Sequence, residues 1–300
     1  MTPMTPSPIR RVGLTARVTL PAALAAMIEA AEWLAAHGCE PVLNRESALS
    51  AGVLGRWPSA ELEALAEQVD VLVAFGGDGT LLAAASAVVR SAADVPVLGV
   101  NLGRLGFLTE VSRTELPSAL EAVLAGRTHV ETRLLLNGRV DRAGTIVAER
   151  LALNDIVITR GPLSRMIEID VTVDREFVCH VKADGLILAT ATGSTAYNLS
   201  AGGPIVSPSL DAFVLTPIAP HALTNRPIVL PATAEVSLRP VIDPQPNDIV
   251  VTFDGQLGVP LQRDDLIVVG RAARRLQLLR TSTRTHFDML REKLKWSEGV

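Results

Sequence analysis

Val71-Leu72-Val73-Ala74-Phe75-Gly76-Gly77-Asp78-Gly79-Thr80 decides the fold of the first part of this chain. Five apolar residues in a row, closed by a turn signal, read as a strand buried on both faces, as in a parallel sheet. The apolar-rich run 81–89 that follows reads as a helix. In an open α/β sheet, ligands bind beyond the carboxyl ends of such strands. Glycines at that place let the backbone approach a ligand closely and take positive φ. Backbone N–H groups and the helix start then make an anion site over Gly76, Gly77, Gly79 and Thr80. A carboxylate in a phosphate-binding turn would repel its ligand. Asp78 therefore reads as a base that accepts the proton of an attacking hydroxyl. The blander reading is an Asp-Gly turn whose side chain bonds its own backbone; the double glycine and the strand-to-helix position favour chemistry.

The alternation extends to both sides. Short apolar runs at 12–14, 41–43 and 97–100 predict strands, and 21–37, 59–69 and 115–124 predict helices. Pro21 opens the first helix, Gly38 closes it, and Ser59 reads as the cap of the second. This pattern predicts an open, largely parallel α/β sheet. Beyond Val130 long helices cease. Asn137-Gly138 reads as a hairpin turn, and strands are expected at 153–159, 166–173, 177–181, 186–189, 228–230, 235–239, 249–253 and 266–269. The second half is thus expected to be an all-β, mostly antiparallel, sandwich-like domain. A helical pattern over 288–295 is expected to return to the first domain. The division read from the sequence is 9–126 with 275–300, and 127–274.

Composition narrows the function. Of 300 residues, 48% are hydrophobic and 20% charged, so the chain is globular, and with only 3% aromatics its core must be Val, Leu, Ile and Ala. A net charge of −4 gives no global attraction to nucleic acid or anionic membrane, so phosphate binding must be local. Cys39 and Cys179 form no CxxC pair, which fits a reducing cytoplasmic setting. No apolar run approaches the ~18 residues of a membrane span, and residues 1–8 read as a tail without a signal-peptide core. GxxxxGK[ST] and GxGxxG are both absent, so neither a P-loop nor an ordinary Rossmann nucleotide site is expected.

A second chemical signal runs from Asp184 through Thr190-Ala191-Thr192-Gly193-Ser194-Thr195-Ala196-Tyr197-Asn198-Leu199-Ser200 to Gly202-Gly203-Pro204. An apolar strand enters a hydroxyl-rich turn in which Thr192, Ser194 and Thr195 suit a ribose or a phosphate. A Ser/Thr-capped helix would leave the same trace. His221 is a candidate base by residue type, but it lies in a proline-flanked turn and reads rather as a packing residue. Arg271, Arg274, Arg275, Arg280 and Arg284 read as a solvated basic surface.

Taken together, Gly-Gly-Asp-Gly-Thr, Leu153-Asn154-Asp155, the Thr-Gly-Ser-Thr-Ala-Tyr stretch, Pro220 to Pro227 and Phe253-Asp254-Gly255-Gln256 closely resemble the NAD kinase family. The resemblance runs from about Arg11 to Leu290, with the motifs in the family's order. Diacylglycerol and sphingosine kinases and phosphofructokinases carry turns like the first motif; the long motif from Asp184 is far more specific.

The resemblance implies an ATP-dependent phosphorylation of the 2′-hydroxyl on the adenosine ribose of NAD, giving NADP. It implies Asp78 as catalytic base with Gly79 beside it. It further implies NAD contacts from Asn154, Asp155, Arg165, Lys182, Asp184, Thr195, Ala196, Tyr197, Asn198, Leu199, Ser200 and Gln256. Asp155 stands where Glu is common, Lys182 where Arg is common, and Ala191 where Pro is frequent. A divalent cation, Mg²⁺, is expected to arrive with ATP and not in a protein cage of carboxylates, and the family's homodimers or homotetramers are expected here. A lipid kinase built on the same turn is disfavoured by the run from Asp184 to Ser200. A non-catalytic dinucleotide sensor would have no need of Asp78.

Overall fold

The computed structural model describes residues 9–91, 93–103, 106–161, 166–222, 224–242, 249–282 and 284–296. In chain order come β1 (Arg11–Ala16), α1 (Pro21–Ala36), β2 (Glu40–Asn44), α2 (Arg45–Ser50), β3 (Ser59–Ala60), α3 (Leu62–Ala66), β4 (Val71–Gly76) and α4 (Asp78–Arg90). β5 (Val97–Asn101), β6 (Val111–Ser112), α5 (Leu116–Leu124) and β7 (His129–Arg133) follow. Next are β8 (Leu136–Arg142), β9 (Thr145–Ala152), β10 (Asp155–Arg160), β11 (Ile167–Val173), β12 (Glu176–Ala183), β13 (Gly185–Thr190) and the single turn α6 (Tyr197–Ser200). β14 (Ala212–Ile218), β15 (Ile228–Pro231), β16 (Val236–Val241), β17 (Ile249–Phe253), β18 (Gln256–Pro260), β19 (Leu266–Arg271), β20 (Leu276–Arg280) and α7 (His286–Leu294) complete the chain.

Contacts divide these elements into two units, one reaching to Thr132 and resuming at Leu276, the other spanning Arg133–Arg275. In the first, the sheet order is β3-β2-β1-β4-β5-β20-β7, with β6 beside β5. β1 pairs in parallel with β2 on one side and β4 on the other, so the strand order reverses between β1 and β4. A crevice at the carboxyl ends of two such strands is where an open α/β sheet takes its ligand. Leu14, Met27, Leu34, Phe75, Leu98 and Leu120 fill the core against α1 and α5.

The second unit has two six-stranded sheets, β15-β14-β13-β10-β17-β18 and β12-β11-β16-β19-β8-β9. Strand alternation sends Ile156, Ile158, Leu186, Leu188 and Phe213 of one sheet into the same core as Val140, Ile169, Val171 and Ile267 of the other. The opposite face of the first sheet, with Val157, Ile187 and Val214, buries a smaller cluster closed by Val206.

The expected fold class holds in both parts, but three local readings are corrected. Asn137-Gly138 is no turn: both lie inside β8, paired with β9 and β19. The hairpin turns instead at Ala143-Gly144, both at positive φ. Gly138 is small because a Cβ there would meet Ile156 at 2.5 Å and the Phe253 ring at 2.9 Å. Ser59 caps no helix; it pairs with Leu43 in β3, and α3 starts after Glu61. The expected positive φ of the Asp78 turn is absent from Gly76, Gly77 and Gly79. Gly76 serves close approach instead, since a Cβ there would lie 2.2 Å from Thr80 Oγ1.

Candidate active site

Asp78 is the first residue of α4, with Gly77 as an extended N-cap. Its carboxylate does not bond its own turn. Oδ2 accepts the Phe107 amide at 2.8 Å, and Oδ1 accepts the amides of Leu108 and Thr109 at 3.1 Å each and the Thr109 hydroxyl at 3.0 Å. The Asp-Gly turn alternative therefore fails on geometry. The segment that Asp78 holds is fixed from behind as well. Glu110, 4% exposed, accepts the Thr281 amide at 3.0 Å and pairs with Arg280 at 3.3 Å. Arg280 is 8% exposed, so the expected solvated basic surface does not extend to it.

Beside this turn a cavity of about 630 Å³ opens at the carboxyl ends of β1 and β4, lined by Thr15, Arg17, Asn44, Gly77, Gly79 and Thr80 among others. It lies where the strand order reverses. The start of α4 adds the partial positive charge of a helix N-terminus, and the exposed Arg17, whose Nε donates to Thr19, adds a full one. Gly77 and Gly79 leave open space where a side chain would stand.

In the second unit a cavity of about 410 Å³ is lined by Asn154, Asp155, Ala196 and Tyr197, together with Val157, Thr159, Thr252, Asp254 and Gly255. The Leu153-Asn154-Asp155 turn is gripped from two sides. Asp254 accepts all three of its amides, at 2.8, 2.7 and 3.1 Å. Thr190 donates its hydroxyl to the Leu153 carbonyl at 2.6 Å and its amide to that of Asn154 at 2.8 Å. Gly193 presses so near that a Cβ would stand 2.0 Å from the Asn154 carbonyl. Asp254 and Gly255, both at positive φ, form the tight turn between β17 and β18. Burial pushes the Asp155 carboxyl up to about 7, and the neighbouring Asp254 charge adds to this. Burial pushes Asp254 up too, against the pull of its three amides.

Other expected contacts stand elsewhere on this unit. Lys182 is exposed and ion-paired with Glu168, directly opposite it on β11. Asp184 pairs with Arg160 at 2.9 Å. Thr195 donates to the Thr192 carbonyl at 3.3 Å. Asn198 is wholly buried: its amide donates to the carbonyls of Ser194 and Pro204 and its oxygen accepts from Thr216, so it braces the loop. Ser194 is equally enclosed and donates to the carbonyls of Ala191 and Val206. Leu199 and Gln256 are half-buried, Ser200 and Tyr197 exposed. His221 is exposed, contrary to a packing role; its amide donates to the Lys182 carbonyl. Arg165, Leu223 and the tail 1–8 lie outside the described residues.

Sequence reasoning gave no role to Asp254, Arg17 or the 106–109 segment. The Asp-Gly pair at 254–255 was the available signal for the first. The other two carry no periodicity or motif of their own.

Two family models match this chain: the ATP-NAD kinase N-terminal domain over residues 12–128 and the ATP-NAD kinase C-terminal domain over 153–281. A protein named NAD kinase from Magnetococcus marinus is 42% identical over 290 residues, covering 96% of this chain and 94% of its own. One from Aromatoleum aromaticum is 43% identical over 288 residues, covering 96% and 94%. The solved structure of yeast NADH kinase complexed with NADH superposes with a TM-score of 0.86 at 27% identity, covering 98% of this chain and 90% of that one. An NAD kinase from Archaeoglobus fulgidus in complex with ATP gives 0.73 at 26%, covering 95% and 98%.

Proposed function

This chain belongs to the NAD kinase family, and from that premise we infer how it makes NADP. The γ-phosphoryl group of ATP moves to the 2′-hydroxyl on the adenosine ribose of NAD. The relationship along nearly the whole chain carries the activity, and the carboxylate held at the start of α4 carries the mechanism.

ATP phosphates are assigned to the cavity at the ends of β1 and β4, where Arg17 and the open amide end of α4 offset their charge. Mg²⁺, arriving bound to ATP, would supply charge neutralisation at the transferred phosphoryl group. The adenosine of NAD is assigned to the cavity of Asn154, Asp155, Ala196 and Tyr197. Asp78 orients the 2′-hydroxyl and takes its proton as the oxygen attacks phosphorus. Phosphoryl transfer depends mainly on alignment and charge neutralisation, and a carboxylate fixed by four donors is well suited to alignment. Lys182, Asp184, Thr195, Asn198, Leu199, Ser200 and Gln256 remain assigned to the rest of the dinucleotide, with the Asn198 side chain also bracing the loop between them.

No described helix is long and apolar enough to cross a membrane. We read the protein as cytoplasmic, which its two free cysteines support. We also read it as a homodimer or homotetramer, which the exposed Phe177 and Val178 on the edge strand β12 support. The activity is tested by incubating the protein with NAD, ATP and Mg²⁺ and following NADP with an NADP-specific dehydrogenase. NADP formation that requires all three bears the reading out; NAD binding without NADP would point to a sensor and overturn it.

A further inference from the structure

We propose that Thr109 is a positioning residue for Asp78, saturating Oδ1 so that Oδ2 is the oxygen that takes the proton. A carboxylate has two oxygens and about four lone-pair sites. Oδ1 meets three donors, the Leu108 amide, the Thr109 amide and the Thr109 hydroxyl, whereas Oδ2 meets only the Phe107 amide. Asp78 is partly exposed, so its unspent lone pair on Oδ2 is the one available to a substrate.

The direction of the Thr109 hydroxyl is fixed from outside. Thr109 is fully buried, and its oxygen accepts the Asn101 Nδ2–H at 2.9 Å. The Asn101 oxygen in turn accepts the Gly103 amide at 2.7 Å. With that site filled by Asn101, the one hydroxyl proton points at Asp78 Oδ1. Backbone closes the same side: a Cβ at Gly106 would lie 1.9 Å from Oδ1 and 2.4 Å from Thr109 Oγ1. Oδ1 is thus enclosed and fully engaged, and the carboxylate cannot turn to exchange its two oxygens without breaking these bonds.

The inference rests on Asp78 being the base and deepens that reading. In the step it specifies, the 2′-O–H bond breaks and the proton goes to Oδ2. The ribose oxygen's electron pair forms the bond to the γ-phosphorus. The bond from γ-phosphorus to the β,γ-bridging oxygen breaks, and ADP leaves with that electron pair.

Thr109→Val keeps shape and removes the hydroxyl; Thr109→Ser keeps the hydroxyl. Initial rates of NADP formation are measured for both, with NAD and ATP each varied. The expected result is a kcat lower by about tenfold for Thr109→Val, the scale of one charge-assisted hydrogen bond, with both KM values held within about twofold. Thr109→Ser should recover most of the loss, which a general weakening of the segment would not allow. Gly106→Ala, which drives a methyl into Oδ1, should show the same split and carries the test if Thr109→Val does not fold. Wild-type kcat in Thr109→Val, or a loss that lies in KM and is not recovered by Ser, overturns the proposal. Asp78→Asn is assayed alongside. If it retains the wild-type rate, the base assignment itself falls; if it is inactive while Thr109→Val is not impaired, only the role of Thr109 falls.

Discussion

Asp155→Asn should make the protein more stable above neutral pH, and the size of the gain follows from the site. The Asp155 carboxyl is buried beside Asp254, and its protonation is pushed from the usual 3.8 up to about 7. Below about pH 4 folded and unfolded chains both hold the proton, and the group is neutral in the balance. Between 4 and 7 the folded chain keeps the proton that the unfolded chain has released, so stability falls as pH rises. Above 7 the loss is complete. Three factors of ten in proton affinity, at ~1.36 kcal/mol each, set a ceiling of ~4 kcal/mol. The cavity that Asp155 lines admits water, which brings the true figure below that ceiling. Asn has nearly the same shape and does not titrate, and it also relieves the Asp254 charge. Urea midpoints at pH 5 and pH 8 test this. Trp33, Trp57 and Trp296 all lie in the first unit, so far-ultraviolet circular dichroism is the probe that reports the β-rich unit. His180, pushed up by Asp170 beside it, also makes stability depend on pH, and comparing variant with wild type at each pH removes its contribution. The variant should gain on wild type between pH 5 and pH 8 by more than ~1 kcal/mol. A difference that does not change with pH would refute the reasoning.

Three further outcomes follow from packing and hydrogen bonding. Gly138→Val forces a branched side chain against Ile156 and Phe253 and should cost about 1–3 kcal/mol, read as a lower urea midpoint; an unchanged midpoint would contradict the packing argument. Asp254→Ala strips three amides of their acceptor and places alanine at positive φ. The KM for NAD should rise at least about tenfold, a loss near 1.4 kcal/mol, as measured by NAD titration of the rate; an unchanged KM would separate the turn from the NAD site. Arg280→Met leaves Glu110 buried without its cation and should lower stability by about 3 kcal/mol, seen in thermal melts; a loss of less than ~1 kcal/mol would mean the pair is idle.

The strands of the first unit were legible because burial leaves a direct trace, whereas their order in the sheet is set by tertiary pairing. Val71 to Phe75 is apolar throughout, and β4 is buried at every position. What misled was local chemistry overridden by tertiary contact. Asn137-Gly138 has turn propensity, but Ile156 and Phe253 require a residue without a side chain there. β14 is hidden in the sequence by Thr216 and Pro217 near its end, since proline is disfavoured in an interior strand. At the site, Asp78 was visible through its glycines, and Asn154 and Asp155 through family resemblance. The donors that fix Asp78 were not. The 106–109 segment lies about 30 residues further on in sequence, and backbone amides leave no mark in side-chain pattern. Asn198 and Ser194 show the converse: their part in a buried polar network is hidden in the sequence, because such a network and a ligand site draw on the same residue types.

The proposed mechanism stands or falls with Asp78 as the base. Its most direct test is the turnover of Asp78→Asn at saturating NAD and ATP, with NAD affinity measured on the same sample by calorimetry. The kcat should fall by roughly 10²- to 10⁴-fold, with NAD affinity essentially unchanged. A variant that makes NADP at the wild-type rate while binding NAD normally would contradict it.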